Sequence, residues 1–177
     1  GLSAAYHLQK KGCKTVVLEQ GKVGAGASGR NGGEVLTGYL GSMEYWAKKK
    51  GLEKAKEMWQ LSINAIDLIE NIINTHRIEC DFKRNGHLAA AYKPSHLESM
   101  KREQEFMAKK LDYYDLEIID EHNMNKEMNT RFYKGGCVDK QSAHYHPYNY
   151  TLGLAEAAEQ QGATIYENSK AKSITKN

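Results

Sequence analysis

Residues 13–33 read CKTVVLEQGKVGAGASGRNGG, and the prediction of the fold starts from them. Its first part, Cys13 to Glu19, is an apolar, β-branched run closed by an acid, which is typical of a parallel strand buried on both faces. Its second part, Gly21 to Gly33, has six glycines in thirteen residues. Such a loop allows the backbone to approach a ligand closely. The stretch therefore predicts a strand that leads into a ligand-binding loop.

The same plan of helix, glycine, strand and acid occurs twice. The first copy is a helix from residue 2 that ends at Gly12 and precedes the strand closed by Glu19. The second is a helix from Tyr148 to Gln161 that ends at Gly162 and precedes the strand 163–167. Glycine after a helix suits the left-handed turn that ends it. We expect both copies to be αβ units of one sheet.

The residues between the two copies predict a different, mixed organisation. A long helix over 42–76 is expected because its apolar residues recur at spacings of three and four, and this face is expected to be core. A second helix begins near Pro94, where Ser95 and Glu98 fit a capping box. Short strands are expected at 80–83 and 86–92, joined by a turn, at Ile118-Ile119 as an edge strand, and at 132–138, broken by Gly135-Gly136.

Composition excludes several classes of protein. Twenty-five Lys and Arg against twenty-two Asp and Glu give a net charge of only +3, so nucleic acid is not expected as the main partner. No apolar run is long enough to predict a membrane-spanning helix. The three cysteines form no CxxC pair, which argues against a disulfide scaffold. We expect a reduced, cytoplasmic protein.

The spacing between the first helix and its strand indicates a nucleotide site. In dinucleotide-binding βαβ units, the third fingerprint glycine opens the helix and an acid about 20 residues later holds the ribose hydroxyls. Gly1 and Glu19 stand eighteen residues apart, in those two places. The pyrophosphate is then expected at the amino end of the helix, where free N–H groups favour negative charge.

The loop Gly26-Ala27-Ser28-Gly29-Arg30-Asn31-Gly32-Gly33 resembles the flavin loop of the FAD-dependent amino-acid and amine oxidases of the D-amino-acid oxidase and glycine oxidase type. Residues 2–8, 16–19, 144–147 and 153–155 share the resemblance, in the same order along the chain. It implies a doubly wound, Rossmann-like α/β domain that binds FAD, with an inserted α+β substrate domain. It also implies oxidation of a small amine or amino acid by hydride transfer to flavin.

The resemblance implies ten FAD-binding residues: Gly1, Glu19, Gln20, Ala27, Ser28, Arg30, Asn31, Gly32, Gly33 and Ala171. Glu19 would hold the adenosine ribose with Gln20 near the adenine, and Ala27 and Ser28 would approach the pyrophosphate. Residues 30–33 would run toward the isoalloxazine, and a last strand would bring Ala171, where the family more often has Val, to the adenine. No catalytic residue is named, because the substrate-gripping residues are expected beyond residue 177.

The domain boundaries and the ends of the chain also carry expectations. We assign 1–78 and 139–177 to the FAD-binding domain and 79–138 to the substrate domain. The helical pattern begins at Gly1 without a preceding strand, so the chain is interpreted as an N-terminal fragment that lacks the first strand. Residues 15–19 would then have an unpaired edge. We expect the isolated chain to be inactive, to bind FAD weakly or not at all, and to aggregate.

Three other interpretations compete with this one. Cys137, Asp139, His144 and His146 suggest a metal site, but no second cysteine or HxxxH pattern supports one, so no metal is expected. The chain could instead be a non-catalytic helical interaction module that uses the face of 42–76. It could also be a Rossmann enzyme that uses NAD(P), which would show a nicotinamide-dependent rate and no bound flavin.

Overall fold

The computed structural model describes residues 1–175, and within that range it has six α-helices and seven β-strands. The helices are α1 Leu2–Lys10, α2 Met43–Lys50, α3 Leu52–His76, α4 Pro94–Leu111, α5 Glu121–Met128 and α6 Pro147–Gln160. The strands are β1 Val16–Leu18, β2 Glu34–Val35, β3 His87–Ala90, β4 Leu116–Asp120, β5 Gly135–Asp139, β6 Ala143–His144 and β7 Thr164–Tyr166. The chain forms two compact units, each described separately below.

Unit 1 comprises Gly1–Glu34, Ile69–Phe82 and the residues from Tyr145 onward. Its two strands, β1 and β7, pair in parallel, with Leu18 opposite Tyr166. Helices α1 and α6 cover them with a core that includes Ala5, Tyr6 and Ala158. The predicted pair of αβ units in one sheet is confirmed.

A glycine follows the end of each of the two helices α1 and α6. The N–H of Gly12 donates to the carbonyl of Gln9 (2.8 Å), and that of Gly162 donates to Glu159 (2.8 Å). Both glycines have positive φ, +79° and +100°. An L side chain is strained in this conformation, which explains why glycine stands at each helix end. The expected helix ends are confirmed.

Strand β1 has one partner within residues 1–175, namely β7. Val16 is 59% exposed and Leu18 is 57% exposed, although both are apolar strand residues. The expected unpaired edge at residues 15–19 is therefore present among the described residues.

Unit 2 comprises Val35–Leu68 and Lys83–His144. Its sheet has the antiparallel order β3-β5-β4, so β4 is an edge strand, as predicted for Ile118-Ile119. The predicted break at Gly135-Gly136 is wrong, because β5 begins at Gly135 and pairs along its length with β4. A Cβ on Gly136 would lie 2.8 Å from the carbonyl oxygen of Ala89, so glycine permits the close pairing.

Three local predictions in this region are also wrong. The helix over 42–76 is interrupted at Gly51, whose φ of +89° separates α2 from α3. Residues 80–83 form no strand; Lys83 makes only an isolated bridge to His144. Helix α4 has Lys93 as its N-cap and Pro94 as its first residue, so the capping box does not form. Proline at that position begins the helix without needing an N–H partner.

The apolar face of α3 is buried rather than free. In unit 2, Ala55 and Trp59 pack with Met107 and Leu111 of α4, and in unit 1, Ile72 joins the core with α1 and α6. The core role predicted for this face is confirmed. This burial leaves the helical interaction module without the working face that it requires.

The units differ from the expected domain segments at one long stretch. Residues 35–68, which the sequence assigns to the FAD-binding domain, belong to unit 2. The physical reason is the core between α3 and α4, in which Trp59 stacks edge-on against Tyr113 with ring centroids 4.8 Å apart. The assignment of cofactor and substrate roles to the segments stays a prediction. Within residues 1–175, no helix has the length and apolar character that crossing a membrane requires.

Candidate functional site

A cavity of about 800 Å³ lies in unit 1. This volume falls within the range of roughly 300–1,000 Å³ that is usual for ligand and cofactor sites. Six of the predicted site residues line it: Gly1, Glu19, Gln20, Ser28, Asn31 and Ala171. The amino end of α1, the end of β1 and the glycine loop thus meet at one site.

Glu19 is held by the backbone on both sides. Its N–H donates to the carbonyl of Tyr166 (2.9 Å), and its own carbonyl accepts from the N–H of Ser169 (2.7 Å). Its Oε1 accepts from the N–H of Gly21 (2.8 Å). Within residues 1–175, Oε2 has no hydrogen-bond partner. One carboxylate oxygen therefore fixes the side chain, and the other remains available to a ligand.

Glu167, which the sequence reasoning missed, anchors the glycine loop from the end of β7. Its Oε1 accepts from the N–H of Val23 (2.8 Å), and its Oε2 pairs with Nζ of Lys22 (2.6 Å). The hydrogen bond from Lys22 lowers the pKa of Glu167. The available signal was the acid that closes the second αβ unit, in the place that Glu19 has in the first.

Asn31 fixes the far side of the loop, around a short 3₁₀ turn at Ala27–Gly29. Its Nδ2 donates to the carbonyls of Ala27 (3.1 Å) and Ser28 (2.9 Å), while its Oδ1 accepts from the N–H of Gly33 (2.8 Å). Thr151 of α6 also donates to the carbonyl of Ser28 (3.2 Å). The Asn31 side chain thus satisfies loop backbone groups that would otherwise need water or a ligand.

The glycines of the site have two distinct roles. A Cβ on Gly29 would lie 2.1 Å from the carbonyl oxygen of Gly24, and one on Gly24 would lie 2.8 Å from the Tyr148 ring, so these two glycines permit close packing of the loop itself. Gly1 and Gly26 also line the site, but a Cβ on either would meet no atom within 4 Å. Their backbone therefore faces open space.

The electrostatics of the cavity favour a diphosphate at one end. No side chain caps α1, and its first turn has no acidic residue. Its first N–H groups and the helix dipole therefore favour an anion there. Glu19 and Lys170 are the charged side chains among the residues that line the cavity.

Two tyrosines provide an aromatic wall. Tyr145 and Tyr150 stack with ring centroids 4.5 Å apart, and both line the cavity. Burial raises the pKa of Tyr150 to about 12 and also raises that of Tyr145, so both rings are neutral at pH 7. Tyr145, Tyr150 and Lys170 were missed by sequence reasoning, because nothing local to them indicates the cavity.

The remaining predicted residues do not line the cavity. Ala27 and Arg30 are exposed at the 3₁₀ turn, and Gly32 is exposed beyond it. Gly33 is buried with a φ of +78°, and a Cβ there would lie 2.0 Å from the carbonyl oxygen of Tyr145.

Ala171 lines the cavity, but the strand expected around it does not form in residues 171–175.

The residues considered for a metal site do not come together as metal ligands in the described chain. His146 is the N-cap of α6, where its Nδ1 accepts from the N–H of Asn149 (3.3 Å), so the helix expected from Tyr148 begins one residue earlier, at Pro147. Cys137 and Asp139 lie in β5. In the described part of the chain, no three His, Cys, Asp or Glu side chains are grouped as a metal would require.

The cavity fits a dinucleotide. The uncapped amino end of α1 and the two glycines that face open space suit a diphosphate. The Glu19 carboxylate, which has a free oxygen, suits a ribose.

Comparison with known proteins identifies the family of the chain. The model of the DAO family, described as FAD dependent oxidoreductase, matches residues 1–177. The probable oxidoreductase OrdL of Haemophilus influenzae is 36% identical over 169 residues, which are 96% of this chain and 39% of that protein. The γ-glutamylputrescine oxidoreductase of Escherichia coli is 31% identical over 174 residues, 98% of this chain and 40% of that protein.

Solved structures share the fold. Glycine oxidase from Bacillus cereus has a TM-score of 0.72 at 15% identity, over 99% of this chain and 46% of its own. L-proline dehydrogenase from P. horikoshii has a TM-score of 0.71 at 18% identity, over 97% of this chain and 42% of its own. The chain spans about two fifths of the length of the curated relatives it matches.

Proposed function

The chain belongs to the FAD dependent oxidoreductase family, and we propose that it supplies the FAD-binding part of an enzyme that oxidises amines or amino acids. FAD is the cofactor of the family, which selects flavin over the NAD(P) alternative. The observation that carries the proposal is the meeting of Glu19, the amino end of α1 and the glycine loop at one cavity.

Each part of the cavity has a role toward FAD in this proposal. The first turn of α1 and the open backbone at Gly26 bind the pyrophosphate, with the Ser28 hydroxyl beside it. Oε2 of Glu19 accepts a hydrogen bond from an adenosine ribose hydroxyl, since it has no partner in the described chain. The backbone at Ala171 contacts the adenine.

Further residues orient and enclose the cofactor. Gln20 lies beside Glu19 at the adenosine end. The Tyr145 and Tyr150 rings exclude water along one wall. We also propose that the turn carrying Ala27 and Arg30 leads the loop toward the flavin end.

The remaining glycines of the loop shape its course. Gly33 keeps the end of the loop close to the backbone of Tyr145, where any side chain would collide. Gly32 precedes it without a side chain that would obstruct the path toward the flavin ring. These two positions complete the proposed set of FAD-binding residues.

The substrate class rests on the relatives. Glycine and γ-glutamylputrescine, which two of the relatives carry in their names, both bear an amino group. When bound, FAD supplies the acceptor for a hydride from the carbon that bears this amino group. Loss of this hydride would leave an iminium ion, which water would hydrolyse to a carbonyl compound with release of an amine or ammonia and a proton. The residues of this chain hold and orient the cofactor for that step.

The experiment uses the full-length protein purified without added cofactor. The expected results are the flavin absorbance band and its loss when amines or amino acids are added with oxygen excluded. Readmitted oxygen or another electron acceptor should restore the band. A colourless protein that takes up no added FAD would contradict the proposal. So would a yellow protein that no amine or amino acid reduces, or a rate that depends on a nicotinamide.

A further inference from the structure

Glu167, the acid that follows β7, is not among the residues that line the FAD cavity, but it holds residues that are. Strands β1 and β7 pair in parallel, with Leu18 opposite Tyr166, so Glu167 and Glu19 follow at the same edge of the sheet. From this position the Glu167 side chain reaches the start of the glycine loop, more than 140 residues earlier in the chain.

The two contacts of the Glu167 carboxylate are not equivalent. Its Oε2 accepts from Nζ of Lys22 (2.6 Å), and the Lys22 side chain is 67% exposed, so water screens this ion pair and it contributes little. Its Oε1 accepts from the backbone N–H of Val23 (2.8 Å), which is partly buried and needs an acceptor. The hydrogen bond to Val23 is therefore the contact that fixes the loop.

Val23 is close in the chain to the group that holds Glu19. The N–H of Gly21 donates to Oε1 of Glu19 (2.8 Å), and the carbonyl of Gly21 accepts from the N–H of Asn168 (2.9 Å). Glycine has no side chain to restrict its backbone, so the direction of the Gly21 N–H depends on the contacts on either side of it. Release of Val23 would therefore change how Glu19 is held.

Given the proposed function, on which this role depends, we propose that Glu167 is a positioning residue of the FAD site. By holding Val23 it fixes the N–H of Gly21, and this N–H directs the free Oε2 of Glu19 toward the adenosine ribose. Glu167 then acts on FAD through Glu19, so loss of Glu167 removes the contribution of Glu19 as well. A general effect on stability would instead lower the affinity independently of Glu19.

The experiment titrates cofactor-free full-length protein with FAD and follows the quenching of flavin fluorescence. It compares the original protein with Glu19→Gln, Glu167→Ala and the double variant. Each single substitution should raise the Kd for FAD about tenfold, because the same hydrogen bond to the ribose is lost or misdirected. The double variant should stay within about twofold of the single variants, whereas independent losses would multiply to about a hundredfold. The affinity for FMN, which lacks the adenosine half, should not change.

Two conservative variants separate the hydrogen bond from the ion pair. Glu167→Gln keeps a carbonyl oxygen for the N–H of Val23, so its Kd for FAD should lie within about twofold of the original. Lys22→Met removes the same ion pair from the other side and should behave like Glu167→Gln. The matched control is Glu159→Ala, which truncates an exposed acid on α6 and should leave the affinity unchanged.

The pattern across the variants decides the role of Glu167. A loss in Glu167→Ala that the double variant does not deepen, with FMN binding retained and Glu167→Gln near the original, would support it. A hundredfold loss in the double variant would overturn it, because the two acids would then act independently. An equal loss of FMN in Glu167→Ala would also overturn it, since that result indicates a damaged fold.

Failure of the positioning role differs from failure of the proposed function. If the original protein binds FAD and either Glu19→Gln or Glu167→Ala leaves the affinity unaltered, the positioning role is refuted and the cofactor site stands. If the original protein takes up no FAD, the proposed function is refuted and the positioning role with it.

Discussion

Replacement of Glu19 by glutamine removes the charge from the adenosine end of the proposed FAD site while leaving its local fold intact. The carbonyl oxygen of glutamine can still accept from the N–H of Gly21, the bond that fixes this side chain. The free oxygen becomes an amide NH₂ group, which cannot accept from a ribose hydroxyl. The substitution therefore affects the ligand more than the loop.

The magnitude follows from the kind of bond lost. A hydrogen bond to a charged group contributes about 1.5–3 kcal/mol. Glu19 is partly exposed, so water screens its charge, and the lower end of that range applies. About 1.4 kcal/mol corresponds to a tenfold change in affinity, so we expect the Kd for FAD to rise about tenfold.

The assay titrates cofactor-free full-length protein with FAD and, in parallel, with FMN, which lacks the adenosine half. Quenching of flavin fluorescence reports binding. Glu19→Gln should weaken FAD binding and leave FMN binding unchanged. Glu159→Gln, an exposed acid on α6, is the matched control and should behave as the original protein. A Kd for FAD within twofold of the original would refute the role of Glu19, and an equal loss for FMN would indicate a damaged fold instead.

Three further perturbations test local packing, two of them in unit 1 and one that compares Cys13 of unit 1 with Cys137 of unit 2. Gly29→Ala places a Cβ 2.1 Å from the carbonyl oxygen of Gly24 in the same loop. The substitution should therefore lower the free energy of unfolding by about 1–3 kcal/mol and weaken FAD binding. An unchanged affinity for FAD would contradict the described loop. Gly153→Ala should also lower the free energy of unfolding, by about 1–3 kcal/mol in thermal unfolding, because the new Cβ would lie 2.3 Å from the Ile78 side chain. Adding Ile78→Ala should reduce this cost. A more stable Gly153→Ala variant would refute the close contact. Iodoacetamide at neutral pH should label exposed Cys13 before Cys137, because burial raises the pKa of the Cys137 thiol to about 11. Mass spectrometry measures the order of labelling. Faster labelling of Cys137 would contradict its burial.

The sequence predicts unit 1 well because its signals are local. Each helix end carries a glycine next to the residues it terminates, and each strand is a short apolar run closed by an acid. Glu19 and the glycine loop adjoin in the chain, so their meeting at one cavity follows from a strand that ends at a loop. Gly1 joins them because the first helix packs beside its own strand.

The features that the sequence does not predict depend on contacts between distant residues, or on a residue that can adopt more than one conformation. The helix break at Gly51 needs a positive φ, but glycine also occurs within helices, so its presence alone does not predict the break. Tyr145 and Lys170 reach the cavity only through the tertiary fold. The boundary of unit 2 depends on the packing of Trp59 with Met107 and Leu111 of α4, which lie more than forty positions further along the chain.

The two acids that close β1 and β7 show how a repeated local pattern acquires different roles. Parallel pairing sets Leu18 opposite Tyr166, so Glu19 and Glu167 follow at the same edge of the sheet. Glu167 uses both oxygens on the loop, at Val23 and Lys22, whereas Glu19 uses one and keeps the other free. The first acid is therefore available to a ligand because the second acid already holds the loop, and the proposed site requires both.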